Sequence, residues 1–117
     1  MRYFKLSEFD SPDNPGSGSN MQLPLLVKLD YARALAGIPF VITSGYRTRS
    51  HNRKVGGVSN SSHLTGWAVD ISAPGSATKY KIVEAALQAG FTRIGIGENF
   101  VHVDDDPDKV KNLVWTY

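Results

Sequence analysis

The segment between Pro24 and Pro39 constrains the fold most, because its apolar residues recur at the spacing of one helix face. The recurring positions are Leu25, Leu29, Ala32 and Leu35, with Leu26 and Ala36 beside them. Proline is tolerated in the first turn of a helix, and a glycine followed by proline ends one. The pattern therefore predicts a core helix that is capped by Ser19 or Asn20 and ends at Gly37.

Shorter apolar runs in the rest of the chain predict a small sheet and a second helix. Residues 40–43 (FVIT) and 67–72 (WAVDIS) have the composition of strands, and 93–96 and 100–103 predict two more. Residues 77–89 have helical spacing. The positions expected to face inward on this helix are Tyr80, Val83, Ala86 and Leu87. The chain thus predicts a mixed fold of helices and strands without an internal repeat.

Two segments lack a regular apolar pattern. Residues 1–19 include SPDNPGSGSN, whose composition predicts an irregular N-terminal arm. Residues 46–66 are too polar for a strand and are interrupted by Gly56 and Gly57. We expect this second segment to be a long irregular loop, and loops of this kind often carry functional residues.

The composition limits the number of domains and the kind of metal site. A chain of 117 residues suits one domain, here residues 1–117, and 41% hydrophobic with 21% charged residues is ordinary for a globular protein. Cysteine is absent, so disulfides and thiolate metal sites are excluded. Any zinc must therefore be held by histidine and carboxylate.

Charge and hydropathy indicate which partners to expect. Basic residues cluster only at 47–54, where no aromatic stacking platform or basic helix face accompanies them, so we expect no nucleic-acid partner. The first residues lack the apolar run of a signal peptide, and no stretch is long enough for a membrane helix. We expect a monomer that is cytoplasmic as encoded and has no membrane partner.

Two short motifs place histidines beside carboxylates. SSHLTGWAVD contains His63 and Asp70, and NFVHVDD contains His102 and Asp104 two positions apart, on one face of a strand. Hydrolytic zinc sites commonly use three N or O ligands and leave a fourth position for water. Two histidines and one carboxylate would suffice, and the second carboxylate would be free to accept a proton from that water.

Four motifs in a fixed order carry a resemblance to a known family. SGYRT, NRKVGG, SSHLTGWAVDI and FVHVD resemble the motifs of the M15 zinc peptidases, which cut peptidoglycan stem peptides as D-alanyl-D-alanine carboxypeptidases or L-alanyl-D-glutamate endopeptidases. The resemblance runs from about Phe4 to Trp115. It implies an α+β fold like that of D-Ala-D-Ala peptidases and hedgehog domains, with a small antiparallel sheet against two main helices.

The resemblance also implies roles for five residues. It implies a Zn²⁺ ion held by His63, Asp70 and His102. Arg47 resembles an active-site arginine that stabilises a developing oxyanion or binds a substrate carboxylate. Ser61 resembles a residue that donates a hydrogen bond to the substrate, and the alternative is a serine that caps the loop.

The general base is where this chain departs from the wider family. Many members have a glutamate three residues before the last histidine ligand, but Asn99 occupies that position here and cannot accept a proton. Asp104 shares a strand face with His102 and matches the HxD ending of the short single-domain branch. We therefore predict Asp104 as the base, with Glu98 as the second candidate.

These features predict a zinc metallopeptidase whose partner is a peptidoglycan stem peptide. Whether it removes a terminal D-Ala or cuts inside the stem is left open, and the short chain would suit a phage lysis protein that is delivered to the cell wall. The alternative is a catalytically inactive, zinc-stabilised module that binds wall peptides or a protein partner.

Overall fold

A single five-stranded sheet organises the protein. In the computed structural model, which describes residues 1–117, the strands are β1 (Ile42–Ser44), β2 (Ala68–Ser72), β3 (Arg93–Ile96), β4 (Phe100–Asp104) and β5 (Leu113–Thr116). Their order across the sheet is β1-β2-β4-β3-β5, and every neighbouring pair is antiparallel except β3 with β5. The predicted α+β class is confirmed, with one parallel pair at the edge of the sheet.

Two long helices and one short helix accompany the sheet. They are α1 (Leu23–Ala36), α2 (Arg49–Lys54) and α3 (Ser76–Ala89). The buried apolar cluster joins α1 and α3 to one face of the sheet, and its strand residues are Val69, Ile71, Ile94, Val101 and Val103. Because side chains alternate along a strand, the residues between these positions lie on the opposite face, which the two long helices leave free. None of the helices combines the length and the apolar character needed to span a membrane.

The predicted core helix is confirmed, apart from its cap. Pro24 lies in the first turn of α1, and Gly37 ends the helix with a left-handed φ of 67°. The N-cap is Gln22 rather than Ser19 or Asn20. Those two residues instead belong to a short 3₁₀ helix, Ser17–Asn20, which ends before α1 begins.

The second helix is present as α3, but its predicted inner face is partly wrong. Tyr80 and Leu87 are exposed, with 68% and 55% of their surface accessible. The buried residues of α3 are Ile82, Ala85 and Ala86. This rotated face contains two alanines, and small side chains allow α3 to pack closely against α1 and β4.

The two segments that were predicted to be irregular contain short helices. The arm at 1–19 contains 3₁₀ helices at Leu6–Phe9 and Ser17–Asn20, and the loop at 46–66 contains α2 and a 3₁₀ helix, Ser62–Thr65. The helix α2 begins where Thr48 Oγ1 accepts a hydrogen bond from the His51 backbone N–H. The first strand begins at Ile42, two residues later than predicted, and Phe40 before it is buried.

Candidate metal centre

The candidate site lies along one row of residues that crosses the whole sheet. The register pairs Ser44 with Asp70, Asp70 with His102, His102 with Gly95, and Gly95 with Trp115. These residues share the face that α1 and α3 do not cover. The row therefore places a carboxylate and an imidazole side by side on β2 and β4, at the centre of the sheet.

The second imidazole comes from outside the sheet. His63 lies in the 3₁₀ helix Ser62–Thr65, and only 3% of its surface is exposed. Its Nδ1 is 2.8 Å from the carbonyl oxygen of Gly45. A carbonyl only accepts hydrogen bonds, so Nδ1 carries the proton and Nε2 presents its lone pair. That Nε2 lies 3.3 Å from Asp70 Oδ1.

The structure thus brings together the three residues predicted as metal ligands. Asp70 Oδ1 lies 2.9 Å from His102 Nδ1, and the ligand atoms of His63, Asp70 and His102 all lie within 4.8 Å of one another. Two imidazole nitrogens and one carboxylate form a donor set that zinc commonly uses. The donor types and their convergence fit a single zinc ion, and the ligand assignment itself stays a prediction.

The electrostatics of the cluster keep its central carboxylate ionised. Burial would raise the pKa of Asp70, but hydrogen bonds and charge from His102 and His63 outweigh this effect and hold that pKa far below its usual value. Burial would lower the pKa of His102, but hydrogen bonds to Asp104 and Asp70 outweigh it and raise that pKa. Asp70 is therefore a charged acceptor, the state that a metal ligand requires.

Arg47 contacts the same carboxylate from the loop side. Its guanidinium donates from Nη2 to Asp70 Oδ2 at 3.3 Å, from Nε to Ser44 Oγ at 2.9 Å and from Nη1 to Asn52 Oδ1 at 3.2 Å. These contacts leave other N–H groups of the guanidinium without a protein partner. Arg47 lines the cavity beside the cluster. Its two predicted roles, stabilising an oxyanion or binding a substrate carboxylate, stay predictions.

Ser61 makes the capping contact that was considered as its alternative role. Its Oγ accepts a hydrogen bond of 3.2 Å from the backbone N–H of His63, and Ser61 is the N-cap of that 3₁₀ helix. The residue also lines the cavity. A substrate contact by Ser61 therefore stays a prediction, while the capping role is observed.

The two candidate bases lie in different places. Asp104 is buried, and its Oδ2 lies 2.7 Å from Nε2 of His102, the ring nitrogen that does not face Asp70. Its Oδ1 accepts a hydrogen bond of 2.7 Å from Arg93 Nε. Glu98 is exposed in the turn between β3 and β4 and does not line the cavity. The role of Asp104 as the general base stays a prediction. Both of its carboxylate oxygens are engaged, one with His102 and the other with Arg93.

The cavity at the cluster has a volume of about 450 Å³ and includes residues that sequence reasoning did not assign to the site. Among these residues are Arg93, Phe100, Lys109, Trp115 and Tyr117. The Trp115 ring centroid lies 5.5 Å from that of His102, and the Tyr117 ring lies 5.0 Å from that of Phe100. Alternation of side chains from Leu113 to Tyr117 indicates that Trp115 and Tyr117 share one face of a strand. The pairing of β5 with β3, which the sequence does not reveal, brings these rings to the site.

Two comparisons relate this geometry to known proteins. Residues 3–104 match a family model described as Peptidase M15. Over 61 residues the chain is 39% identical to the zinc D-Ala-D-Ala carboxypeptidase of Streptomyces albus G, and the aligned part is 52% of this chain. It spans only 24% of the length of that relative. Because the family match covers most of the chain, including the whole His-Asp-His cluster, the protein belongs to the peptidase M15 family.

Proposed function

We propose that the protein is a zinc-dependent peptidase that cleaves the stem peptides of peptidoglycan. One observation carries the proposal: a buried His-Asp-His cluster, in a chain of the peptidase M15 family, opens into a cavity of about 450 Å³. When bound, zinc would polarise a peptide carbonyl and acidify a water molecule. The residues around it would bind and orient the peptide.

The charges of the cavity support a substrate with an anionic end. Arg47, Arg93 and Lys109 line the cavity, and their side chains are each only partly exposed. Asp70 and Asp104 carry its only side-chain carboxylates, and both are paired within the protein. A bound divalent ion would make the cavity strongly positive, which favours a substrate carboxylate.

Within this function we favour removal of a C-terminal D-Ala over a cut inside the stem. The relative from Streptomyces albus G is named for D-Ala-D-Ala carboxypeptidase activity. Arg47 fits this choice, because its unpaired N–H groups at the cavity suit the terminal carboxylate that a carboxypeptidase must bind. The side-chain carboxylate of a D-Glu carries the same charge, so charge alone does not separate the two cuts.

Product analysis tests the activity. The purified protein is incubated with peptidoglycan fragments, with and without a chelator, and the products are identified by mass spectrometry. We expect shortened stem peptides only in the samples without chelator. Binding of the fragments without any cleavage would contradict the peptidase and support the zinc-stabilised binding module. That alternative is favoured by one observation, namely that both cavity carboxylates are already engaged in contacts within the protein.

Blocking the peptide terminus tests the position of the cut. We expect that a stem pentapeptide with an amidated C-terminus is not cleaved, whereas the free acid loses its terminal D-Ala. The unmodified peptide is the matched control, because it differs only in the charge of the terminus. Equal cleavage of both peptides, with a product cut inside the stem, would support the endopeptidase.

A further inference from the structure

We propose that Asp104 orients His102 for metal binding and does not accept the proton of the attacking water. The inference rests on the proposed function only in that His102 is a metal ligand. Its starting point is the side of the imidazole on which Asp104 lies. Nδ1 of His102 faces Asp70 at 2.9 Å, and Nε2 faces Asp104 Oδ2 at 2.7 Å.

The two nitrogens of an imidazole point in different directions, so Asp104 lies behind the ring as seen from the cluster. A ring nitrogen that binds a metal must be unprotonated, and the proton of the neutral ring then resides on the other nitrogen. For His102 to bind through Nδ1, Nε2 must donate its N–H to an acceptor. Asp104 provides that acceptor, and a carboxylate in this position fixes both the tautomer and the orientation of a ligand histidine.

The other ligand histidine has an equivalent support. His63 Nδ1 lies 2.8 Å from the Gly45 carbonyl oxygen, which leaves Nε2 for the metal. The chain therefore supports one imidazole through a backbone carbonyl and the other through Asp104. Two independent contacts of the same kind, one at each ligand histidine, favour a shared positioning role.

Asp104 is also held too firmly to move toward a water molecule in the cavity. Only 1% of its surface is exposed. Its Oδ1 accepts hydrogen bonds from Arg93 Nε at 2.7 Å and from the Asp106 backbone N–H at 3.3 Å. The Arg93 guanidinium lies 5.1 Å from the Trp115 ring centroid and donates to the Val110 carbonyl oxygen, so the partner of Asp104 is itself fixed. Both carboxylate oxygens therefore have donors other than water.

The substitution Asp104→Asn separates the two roles, because an amide has one acceptor where the carboxylate has two. The amide oxygen is expected to face Arg93 and the Asp106 N–H, which are two donors, and the NH₂ group then faces His102. An N–H in that position favours the wrong tautomer, with the His102 proton on Nδ1. We expect Zn²⁺ affinity to fall about 10- to 100-fold, as measured by competition with a chelator.

A second substitution provides a rescue. Arg93→Gln removes the strong donor to Oδ1 and offers a side-chain carbonyl to the NH₂ group of Asp104→Asn. The amide can then turn its oxygen toward His102 Nε2 against only the weaker Asp106 N–H, at 3.3 Å, so the double variant is expected to recover part of the lost affinity. Arg93→Gln alone is the matched control, and we expect it to change the affinity by less than Asp104→Asn does. A merely structural effect of Asp104→Asn would not be reversed by a second substitution.

Cobalt provides the spectroscopic signature. At saturating Co²⁺, the wild type and Asp104→Asn are expected to show visible bands of similar intensity, because the ligand set is the same. A clear change in intensity would instead identify Asp104 as a ligand and overturn the proposal. Unchanged Zn²⁺ affinity with turnover reduced about 10²- to 10⁴-fold would also overturn it, because that result is expected of a general base. Wild-type protein that binds Zn²⁺ but cleaves no stem peptide would contradict the proposed function, and the affinity measurements would still decide the role of Asp104.

Discussion

Asn52 links the polar loop to the metal centre through one side chain. Its Oδ1 accepts a hydrogen bond from Arg47 Nη1, and its Nδ2 donates to the Val58 carbonyl oxygen at 2.9 Å. The side chain is buried, and Gly57 packs against it so closely that a Cβ there would overlap Asn52 Oδ1. The sequence patterns gave no indication of the contact between Asn52 and Arg47.

Replacing Asn52 tests how far Arg47 depends on this support. Asn52→Ala removes the acceptor of an Arg47 N–H and one of the two donors to the Val58 carbonyl oxygen, so we expect a loss of roughly 1–3 kcal/mol in the free energy of unfolding. We also expect cleavage of the stem peptide to fall about 10-fold, since small misplacements of a binding group slow a reaction strongly. Zinc content should stay unchanged. Asn60→Ala, at an exposed position of the same loop, is the control and should behave like the wild type.

Asp13 should make the stability of the folded protein depend on pH, independently of the metal site. Its carboxylate accepts hydrogen bonds from Ser11 Oγ and from Thr48 Oγ1, at 2.5 and 2.6 Å, and these bonds lower its pKa. A lowered folded-state pKa adds stability above the unfolded pKa of about 4, and this stability is lost as the pH falls through the folded value. Asp13→Asn should therefore be less stable than the wild type at neutral pH.

Urea unfolding at two pH values measures this effect. The difference between Asp13→Asn and the wild type should shrink as the pH is lowered below the unfolded pKa of about 4 and the carboxyl becomes protonated. Asp108→Asn is the control, because the exposed Asp108 side chain makes no hydrogen bond within the protein. A difference for Asp13→Asn that stays constant with pH would show that charge on Asp13 plays no part.

Two aromatic side chains at the end of the chain pack over Gly95, which has no side chain, in the neighbouring strand β3. A Cβ at Gly95 of β3 would lie 2.6 Å from Trp115 Nε1 and 2.9 Å from Tyr117 Cε2. Gly95→Ala should therefore push these rings away and destabilise the protein by roughly 1–3 kcal/mol, as overpacking does. Thermal unfolding measures the change. In a Trp115→Ala background the effect of Gly95→Ala should be clearly smaller, and full additivity would contradict the contact.

At the scale of elements, local patterns predicted what local forces determine. The helix α1 and the strands β2, β3 and β4 have strong apolar periodicity, and their predicted positions agree with the structure. The helix α2 is a polar helix of six residues without an apolar stripe. The Thr48 cap and the burial of Asn52 stabilise it. Such stabilisation depends on distant contacts that periodicity cannot reveal.

The same limit separates the parts of the candidate site that were foreseen from those that were not. The family resemblance implied a shared metal site for His63, Asp70 and His102, and the structure brings their ligand atoms within 4.8 Å of one another. The partner of Asp104, Arg93, follows from the register of β3 with β4, and the place of Trp115 follows from the parallel pairing of β5. Registers between strands are set by packing over the whole sheet, so a single sequence left these contacts open.

At the scale of the whole molecule, the His-Asp-His cluster joins a loop residue to two neighbouring strands of the sheet. His63 is on the 3₁₀ helix Ser62–Thr65, Asp70 on β2 and His102 on β4. The loop that carries His63 lies over the sheet face opposite α1 and α3, outside the main apolar cluster. An ion bound by all three residues would therefore stabilise the loop against the sheet, since metal binding free energy adds to folding free energy.

Thermal unfolding with and without Zn²⁺ tests this coupling. A free Zn²⁺ concentration 100-fold above the dissociation constant should add about 2.7 kcal/mol, which for a domain of this size raises the melting temperature by roughly 10 °C. His63→Ala should lose most of the bound zinc, as measured by metal analysis, and should show little of this shift. His51→Ala is the matched control, because His51 lies on α2 outside the cluster and should leave both the zinc content and the shift intact. Equal zinc content in the wild type and His63→Ala would contradict the ligand assignment, and a shift that persists in His63→Ala would place the stabilising ion elsewhere.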